Sequence, residues 1–157
     1  MARSIEEILR DVRIEEIPLK SPVTATSETS LGEAYQLLEE SPHGALLVLE
    51  GNEIQGIFTE RDVLYRTALE GLDGATPLAD LMTPDPVTIN TRERLSAAIH
   101  LMTEKGYRHL PLVDDGNQCA GLLATRDMLR FIADHFPEAV LNLPPRLHQQ
   151  MLKAEGG

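Results

Sequence analysis

The chain has few aromatic residues, almost no cysteine and no long apolar run, and each scarcity excludes a class of protein. Its 157 residues include no Trp, three Tyr and three Phe, too few for a platform that stacks single-stranded nucleic acid. Cys119 is the only cysteine, so an internal disulfide is excluded and a reducing compartment is expected. The longest apolar run, residues 45–49, is too short to span a bilayer. We expect a soluble cytoplasmic protein with no membrane partner.

The charge balance argues against nucleic acid as a partner. The chain has 25 acidic and 14 basic residues, a formal net charge of −11, and such a field repels a polyanion. Apolar residues make up 42% of the chain and charged residues 25%, the balance of an ordinary globular protein with a real core. Local clusters of basic residues still allow the chain to bind a small anion.

The sequence contains two copies of one unit. The tripeptide Pro-Val-Thr at residues 22–24 recurs at 86–88, an offset of 64 residues. The stretch Gly-Ile-Phe-Thr-Glu-Arg-Asp at 56–62 resembles Gly-Leu-Leu-Ala-Thr-Arg-Asp at 121–127, an offset of 65. Such a spacing of similar segments is the signature of an internal repeat.

The pattern of apolar and turn residues in each copy predicts the order strand, helix, strand, strand, helix. Ser30 and Glu33 have the spacing of a capping box at the start of the first helix, and we expect its counterpart in the second copy to begin near Thr91. The short extended pieces begin at Val23 and Val87, the buried strands are predicted at 45–49, 54–58, 110–113 and 119–123, and the last helices at 59–69 and 126–133. The fold class is therefore mixed α/β (α+β), with two β-α-β-β-α units packed as a pair.

This pattern divides the chain into five segments. Residues 1–16 form a leader helix that Ser4 and Glu7 cap, 17–72 the first unit, 73–86 a connector, 87–136 the second unit, and 137–157 a tail broken by prolines. The tail either docks on the units, on a second copy or on a partner, or is a loosely ordered end.

The junction after the third strand of the first copy is suited to a phosphate. Thr59 is at the predicted start of the last helix and Asp62 follows three residues later. A helix N-terminus offers free N–H groups to a phosphate, and a carboxylate accepts hydrogen bonds from ribose hydroxyls. The same two residues are also explained as a simple capping pair, and the spacing alone leaves both interpretations open.

Three stretches together resemble the cystathionine-β-synthase (CBS) domain family. They are residues 56–62, residues 106–114 (Gly-Tyr-Arg-His-Leu-Pro-Leu-Val-Asp) and the linking Leu-Met-Thr-Pro at 81–84. The resemblance covers about residues 17–134. It implies two units with pseudo-twofold symmetry, two clefts between them, and adenosine-containing ligands: AMP, ADP, ATP or S-adenosylmethionine.

The resemblance also implies roles for individual residues. Thr59 would hold a phosphate and Asp62 the ribose, while Arg108 and His109 would reach phosphates across the pair. The remaining nucleotide-binding candidates are the backbone of Val23, Thr24 and Ala25 and the strand start at Gly44 and Ala45 beside the base, with Arg61 and Arg126 as further phosphate contacts and Thr125 and Asp127 in the second copy.

The second copy departs from this pattern. The position equivalent to Thr59 is Ala124, with Thr125 one place late, although Asp127 is kept. A hydroxyl displaced by one residue points about 100° away around the helix. We therefore expect one full site, in the first-copy cleft.

The predicted function is regulatory binding of an adenine nucleotide, without catalysis. No nucleophile motif appears, the five histidines lack ligand spacing, and neither a metal nor a required cofactor is predicted. The resemblance implies a homodimer, and an effector protein would read the ligand-dependent change. Two alternatives stay open: a ligand-free interaction scaffold and a small enzyme that uses the nucleotide.

Overall fold

The computed structural model describes residues 3–136, and for residues 67–69 only the backbone. The predicted tail at 137–157 and residues 1–2 of the leader lie outside the described residues. In chain order the elements are α1 (Ile5–Asp11), a 3-10 turn (Ile14–Glu16), β1 (Val23–Ala25), α2 (Leu31–Glu40), β2 (Ala45–Glu50), β3 (Glu53–Thr59), α3 (Glu60–Glu70), a 3-10 turn (Leu78–Asp80), β4 (Thr83–Pro84), β5 (Ile89–Asn90), α4 (Leu95–Lys105), β6 (His109–Val113), β7 (Cys119–Ala124) and α5 (Thr125–His135). None of the helices within residues 3–136 is both long and apolar enough to cross a membrane.

The strands form two small sheets, one in each unit. The first sheet has the order β1-β2-β3-β4 and the second the order β5-β6-β7. In both, the first strand runs parallel to the second, and the second is antiparallel to the third. The predicted mixed α/β fold with a doubled β-α-β-β-α unit is confirmed. We call β1 to α3 with β4 unit 1, and β5 to α5 unit 2.

Two helices begin at their predicted caps, and a third begins later than predicted. The Ser4 side chain accepts from the Glu7 N–H while the Glu7 carboxylate accepts from the Ser4 N–H, a complete capping box. The Ser30 hydroxyl likewise accepts from the Glu33 N–H. The prediction that α4 begins near Thr91 was wrong. The Thr91 N–H instead donates to Val113 (3.1 Å), which keeps residues 91–94 in a turn.

The connector contributes more structure than predicted. Thr83 and Pro84 form β4, which pairs with Ile57 and Gly56 of β3. The extended piece predicted from Val87 begins two residues later, at Ile89. Val87 remains 42% exposed.

Three buried clusters hold the molecule together. One fills unit 1, one fills unit 2, and a third joins the units through Ala45, Leu47 and Leu122, each 0% exposed. At the tip of the third cluster the Cys119 N–H donates to the Asn52 carbonyl oxygen (2.8 Å). The two sheets are thus joined by apolar packing and a backbone hydrogen bond.

The segment before each unit closes the core of the other unit. Ile14 precedes unit 1 but is fully buried in the core of unit 2, and Leu78 precedes unit 2 but is fully buried in the core of unit 1. A backbone hydrogen bond fixes each of these segments in place. The Ile14 N–H donates to the Glu93 carbonyl oxygen (3.0 Å), and the Leu78 N–H donates to the Thr29 carbonyl oxygen (2.8 Å). The units therefore complete one another's cores.

Candidate functional site

A large cleft lies where the two units meet. Its volume is about 930 Å³, within the range of pockets that hold small-molecule ligands. The N-terminal ends of α3 and α5 open into it, as do the loops that precede β2 and β6. Each unit thus contributes the same two structural parts, and the cleft has a unit 1 half and a unit 2 half.

In the unit 1 half, Thr59 and Asp62 form a hydrogen-bonded cap at the start of α3. Asp62 Oδ2 accepts from the Thr59 N–H (2.9 Å) and from the Thr59 hydroxyl (3.1 Å). The Asp62 N–H lies 3.3 Å from Thr59 Oγ1. Both side chains line the cleft and are half-buried. The capping role is therefore real, and it orients the hydroxyl and the carboxylate at the cleft wall.

The unit 2 half is built differently. Asp127 Oδ2 accepts from the Ala124 N–H (2.7 Å), but Ala124 has no hydroxyl. The Thr125 hydroxyl donates instead to the Arg108 carbonyl oxygen (3.3 Å). The two halves therefore differ in the group available to bind a phosphate.

The cleft is richer in basic side chains than the chain as a whole. A net charge of −11 coexists with a local set of cations that favours a small anion over a polyanion. The cationic lining residues are Lys20, Arg61, Arg108, Arg126 and Arg130, and the acidic ones are Glu60, Asp62, Asp85 and Asp127.

Hydrogen bonds hold the loop before β2 in one conformation. The Ser41 hydroxyl donates to the Ala45 carbonyl oxygen (2.7 Å) and accepts from the His43 N–H (3.2 Å). Gly44 has a φ of +67°, which favours glycine, and its carbonyl oxygen accepts from the Glu60 N–H (3.1 Å). From unit 2, His109 Nε2 donates to the His43 carbonyl oxygen (2.7 Å).

Sequence reasoning missed His43, which is among the residues that line the cleft. Its side chain is 2% exposed, and its Nε2 lies 3.9 Å from Asp127 Oδ2 of the other unit. Both ring nitrogens are buried without a hydrogen-bond partner in the described part of the chain. Burial lowers the pKa of His43 below the usual 6.5, an effect that Asp127 partly opposes. In the sequence, the histidines were tested for metal-ligand spacing alone. Inspection of the polar residues in the turn before β2 would have found His43.

The structure brings most of the predicted residues to the cleft, but not all. Thr59, Asp62, Gly44, Arg61, Arg108, His109, Thr125, Arg126 and Asp127 line it. Val23, Thr24 and Ala25 form β1, and Thr24 and Ala25 line a separate cleft of about 440 Å³ beside α2. Ala45 is fully buried in β2. The large cleft therefore gives no support for the predicted contact of these four residues with a base.

The family is shown by comparison with known proteins. The CBS domain model matches residues 14–68 and 78–134, so the chain belongs to the CBS domain family, with two copies. It is 30% identical over 124 residues to the protein MK0525 of Methanopyrus kandleri. That match covers 78% of this chain and 63% of the relative.

Solved structures share the fold. The CBS domain protein PAE2072 from Pyrobaculum aerophilum, complexed with AMP, has a TM-score of 0.69 at 22% identity over 74% of this chain and 89% of its own. The CBS domain pair of protein MJ0100, in complex with 5-methylthioadenosine and S-adenosyl-L-methionine, has a TM-score of 0.70 at 22% identity over 78% and 97%. At this identity the likeness concerns the fold alone.

Proposed function

We propose that the chain is a regulatory protein that binds one adenosine-containing ligand, an adenine nucleotide (AMP, ADP or ATP) or else S-adenosylmethionine, in the unit 1 half of the cleft. The observation that carries this proposal is the hydrogen-bonded pair Thr59 and Asp62 at the open N-terminus of α3. The ligands in the two solved relatives, AMP in one and 5-methylthioadenosine with S-adenosylmethionine in the other, share an adenosine group. This common chemistry favours an adenosine compound here.

In this proposal each side chain binds a different part of the nucleotide. The Thr59 hydroxyl, released from Asp62 Oδ2, donates to a phosphate at the N-terminus of α3. The helix cap uses Asp62 Oδ2, and Oδ1 accepts the ribose hydroxyls. Arg108 from unit 2 lines the same cleft, and its guanidinium forms a charge-assisted contact with the phosphates. A nucleotide bound in this way touches both units.

Regulation follows from this bridging, without catalysis. A ligand that contacts both units stabilises whichever arrangement of the units it binds better, by no more than the difference in affinity. An effector protein then reads the arrangement. We place this activity in the cytoplasm. Cys119 is the only cysteine of the chain, so the chain forms no internal disulfide, which is typical of proteins from a reducing compartment.

A second copy of the chain completes the proposed assembly. Leu64 on α3 and Leu129 on α5 occupy equivalent positions of the repeat and are 68% and 63% exposed. Tyr65 beside them is 51% exposed. Large exposed apolar side chains on two equivalent helices favour an interface, and we propose that these two helices form the homodimer contact.

Asp62→Asn tests the nucleotide site. The amide weakens the cap of α3, so we expect a loss of about 1 kcal/mol in the free energy of unfolding. Loss of the charged ribose acceptor should lower the affinity for AMP by more than about tenfold, measured by isothermal titration calorimetry. Glu7→Gln is the matched control, because Glu7 caps α1 away from the cleft and its loss should leave AMP affinity unchanged.

Thermal shift separates this function from a ligand-free scaffold. A ligand at 100 times its dissociation constant adds about 2.7 kcal/mol, so AMP, ATP or S-adenosylmethionine should raise the melting temperature. If none of them does, the chain is a scaffold, the alternative that the missing hydroxyl at Ala124 favours for the unit 2 half. Hydrolysis of ATP that Asp62→Asn abolishes would instead show an enzyme.

A further inference from the structure

The two units receive their leading segments through equivalent hydrogen bonds, but only one of these segments carries an α-helix to the other unit. The Leu95 N–H of unit 2 donates to the Val12 carbonyl oxygen (2.9 Å). At the repeat offset of 64, the Leu31 N–H of unit 1 donates to the Thr76 carbonyl oxygen (2.8 Å). The segment that reaches unit 2 begins with α1, which packs against α4. The equivalent residues that reach unit 1, 71–75, form a loop.

This loop carries less apolar surface than α1. Ile8 and Leu9 of α1 pack against the core of unit 2. Their counterparts at the repeat offset are Leu72 and Asp73. Leu72 packs against the core of unit 1, whereas Asp73 is exposed. On this side a leucine and a loop therefore stand in unit 1 where an amphipathic helix stands in unit 2.

Tyr35 shows the consequence on α2. Its counterpart on α4 is Ile99, which is half-buried and packs against the same core as the apolar residues of α1. Tyr35 itself is 53% exposed. Gly32, three residues before Tyr35, donates its N–H to the Gly74 carbonyl oxygen (2.9 Å), so the loop lies beside the first turn of α2. We call this side of unit 1 the Tyr35 face, which comprises Gly32, Tyr35, Glu39 and Leu72.

The Tyr35 face lies in acidic surroundings. Within α2 there is no basic residue, and the loop adds the carboxylate of Asp73 to those of Glu33, Glu39 and Glu40. None of these four carboxylates has an ion-pair partner within residues 3–136. Basic side chains complement such a surface. The α1 helix of a second copy does not, because it has three acidic residues and one basic residue.

We propose that the Tyr35 face binds a basic amphipathic helix of the effector protein. The inference rests on the proposed function, which supplies the effector, and it names the surface and the chemistry of that contact. An apolar stripe of the helix packs on Tyr35 and Leu72, as α1 packs on unit 2, and a lysine or arginine pairs with Glu39. Tyrosine is enriched among the residues that dominate binding energy. The connector runs on from Leu72 to Asp85 and Val87, which line the cleft.

Fluorescence anisotropy with a labelled synthetic helix and the full chain tests the docking surface. The probe is a peptide of residues 3–13 that keeps the apolar residues of α1 and has lysine in place of its acidic residues. The substitutions in the peptide are Glu6→Lys, Glu7→Lys and Asp11→Lys. We expect the wild-type chain to bind this probe and Tyr35→Asp to weaken binding by at least about tenfold.

A charge reversal beside Tyr35 covers the case in which Tyr35→Asp does not fold. Glu39→Lys leaves the tyrosine in place and should weaken probe binding about fivefold at low salt and less at high salt. Glu53→Lys is the matched control, since Glu53 is equally an exposed glutamate but lies at the start of β3. Equal losses in the two variants would mean that the probe responds only to the net charge of the chain, which contradicts the inference.

The other possible occupants give different results. Displacement of the probe by a synthetic peptide of residues 137–157 would assign the Tyr35 face to the chain's own tail. A halved mass of Tyr35→Asp in light scattering would assign it to a second copy. Equal losses for Tyr35→Asp and Tyr65→Asp would place the probe on α3, where Tyr65 is 51% exposed. Each of these results, or no binding of the probe by the wild-type chain, overturns the inference.

AMP tests the nucleotide site separately from the docking surface. Tyr35 lies outside the cleft lining, so Tyr35→Asp should bind AMP with the affinity of the wild type. If the wild-type chain binds AMP but not the probe, this inference fails and the proposed function stands. If it binds the probe but none of the adenosine compounds, the proposed ligand fails and the docking surface stands.

Discussion

The ring of His43 is harder to protonate in the folded chain than an exposed histidine, because its pKa is lowered. Burial lowers its pKa below 6.5, and the nearby His109 and Lys20 lower it further, while Asp127 raises it without cancelling the effect of burial. Asp127 and His109 belong to unit 2, so the titration of this residue of unit 1 depends on how the two units pack together.

A pH dependence of stability follows from the lowered pKa of His43. As the pH falls through 6.5, the unfolded chain binds a proton at this residue more readily than the folded chain does, so the free energy of unfolding falls as the pH falls. Above pH 6.5 both states are neutral here and the contribution is fully retained. We expect the free energy of unfolding, measured by urea titration, to fall more between pH 7.5 and 5.5 for the wild-type chain than for His43→Gln. The difference between the two pH dependences corresponds to the binding of at most one proton. Equal slopes in the two proteins would contradict the lowered pKa.

Residue-scale prediction worked where the function of a residue follows from local spacing. Thr59 and Asp62 are three residues apart in sequence, and the structure shows them hydrogen-bonded at a helix start as their spacing indicates. His43 is different, because its environment comes from Asp127, 84 positions away in the printed sequence (127 − 43). A contact across two units leaves no local pattern to detect.

At the scale of elements, the pairing of β3 with β4 depends on one residue without a side chain. A Cβ atom on Gly56 would lie 2.5 Å from Met82 Sδ and 2.9 Å from the Thr83 carbonyl oxygen. The thioether can move aside, but the carbonyl oxygen belongs to β4 itself. Gly56 therefore allows the connector to lie against unit 1.

Gly56→Ala should separate the connector from β3. We expect it to lower the free energy of unfolding by about 1–3 kcal/mol, the usual cost of overpacking, in urea titrations. Gly74→Ala is the matched control, because a Cβ there meets no atom within 4 Å and the substitution should be neutral or stabilise by up to about 1 kcal/mol. A loss at Gly56 no larger than at Gly74 would show that β4 moves freely.

The elements that the sequence predicted well are those with their own signals. The Ser4 and Ser30 caps and the apolar runs that became β2, β3, β6 and β7 are all visible over a few residues. The start of α4 was misplaced, since Thr91 and Glu93 make their hydrogen bonds to Val113 and Asn90 and not along a helix. A two-residue strand such as β4 has no periodicity, and only its neighbour defines it.

For the whole molecule, the exchange of leading segments explains why two small units make one stable protein. Ile14 and Leu78 are 64 residues apart, the offset of the repeat itself, and both are fully buried. Each fills the core of the unit that it does not precede. A unit of about sixty residues is marginal alone, and here neither core is complete without a segment from outside the unit. Ile14 and Leu78 thus occupy equivalent positions of the repeat, and each lies before the predicted start of the unit that follows it, at 17 or 87.

The same symmetry leads to a prediction about assembly. The two helices that follow β3 and β7 each expose a leucine at the same position of the repeat, and both leucines belong to the proposed dimer contact. Leu129→Asp places a charge in that contact, and Leu64→Asp adds a second one. We expect light scattering with size-exclusion chromatography to give twice the chain mass of 17.4 kDa for the wild type and the single mass for the double variant.

Tyr35→Asp is the matched control for this contact. Tyr35 is 53% exposed on α2, which is not one of the two proposed contact helices, so the variant should keep the mass of the wild type. A monomeric wild type, or a double variant that keeps the dimer mass, would show that α3 and α5 do not form the contact. Leu64 also lines the cleft, so the effect of assembly on ligand binding is measured with the single variant Leu129→Asp, whose residue lies outside the cleft lining.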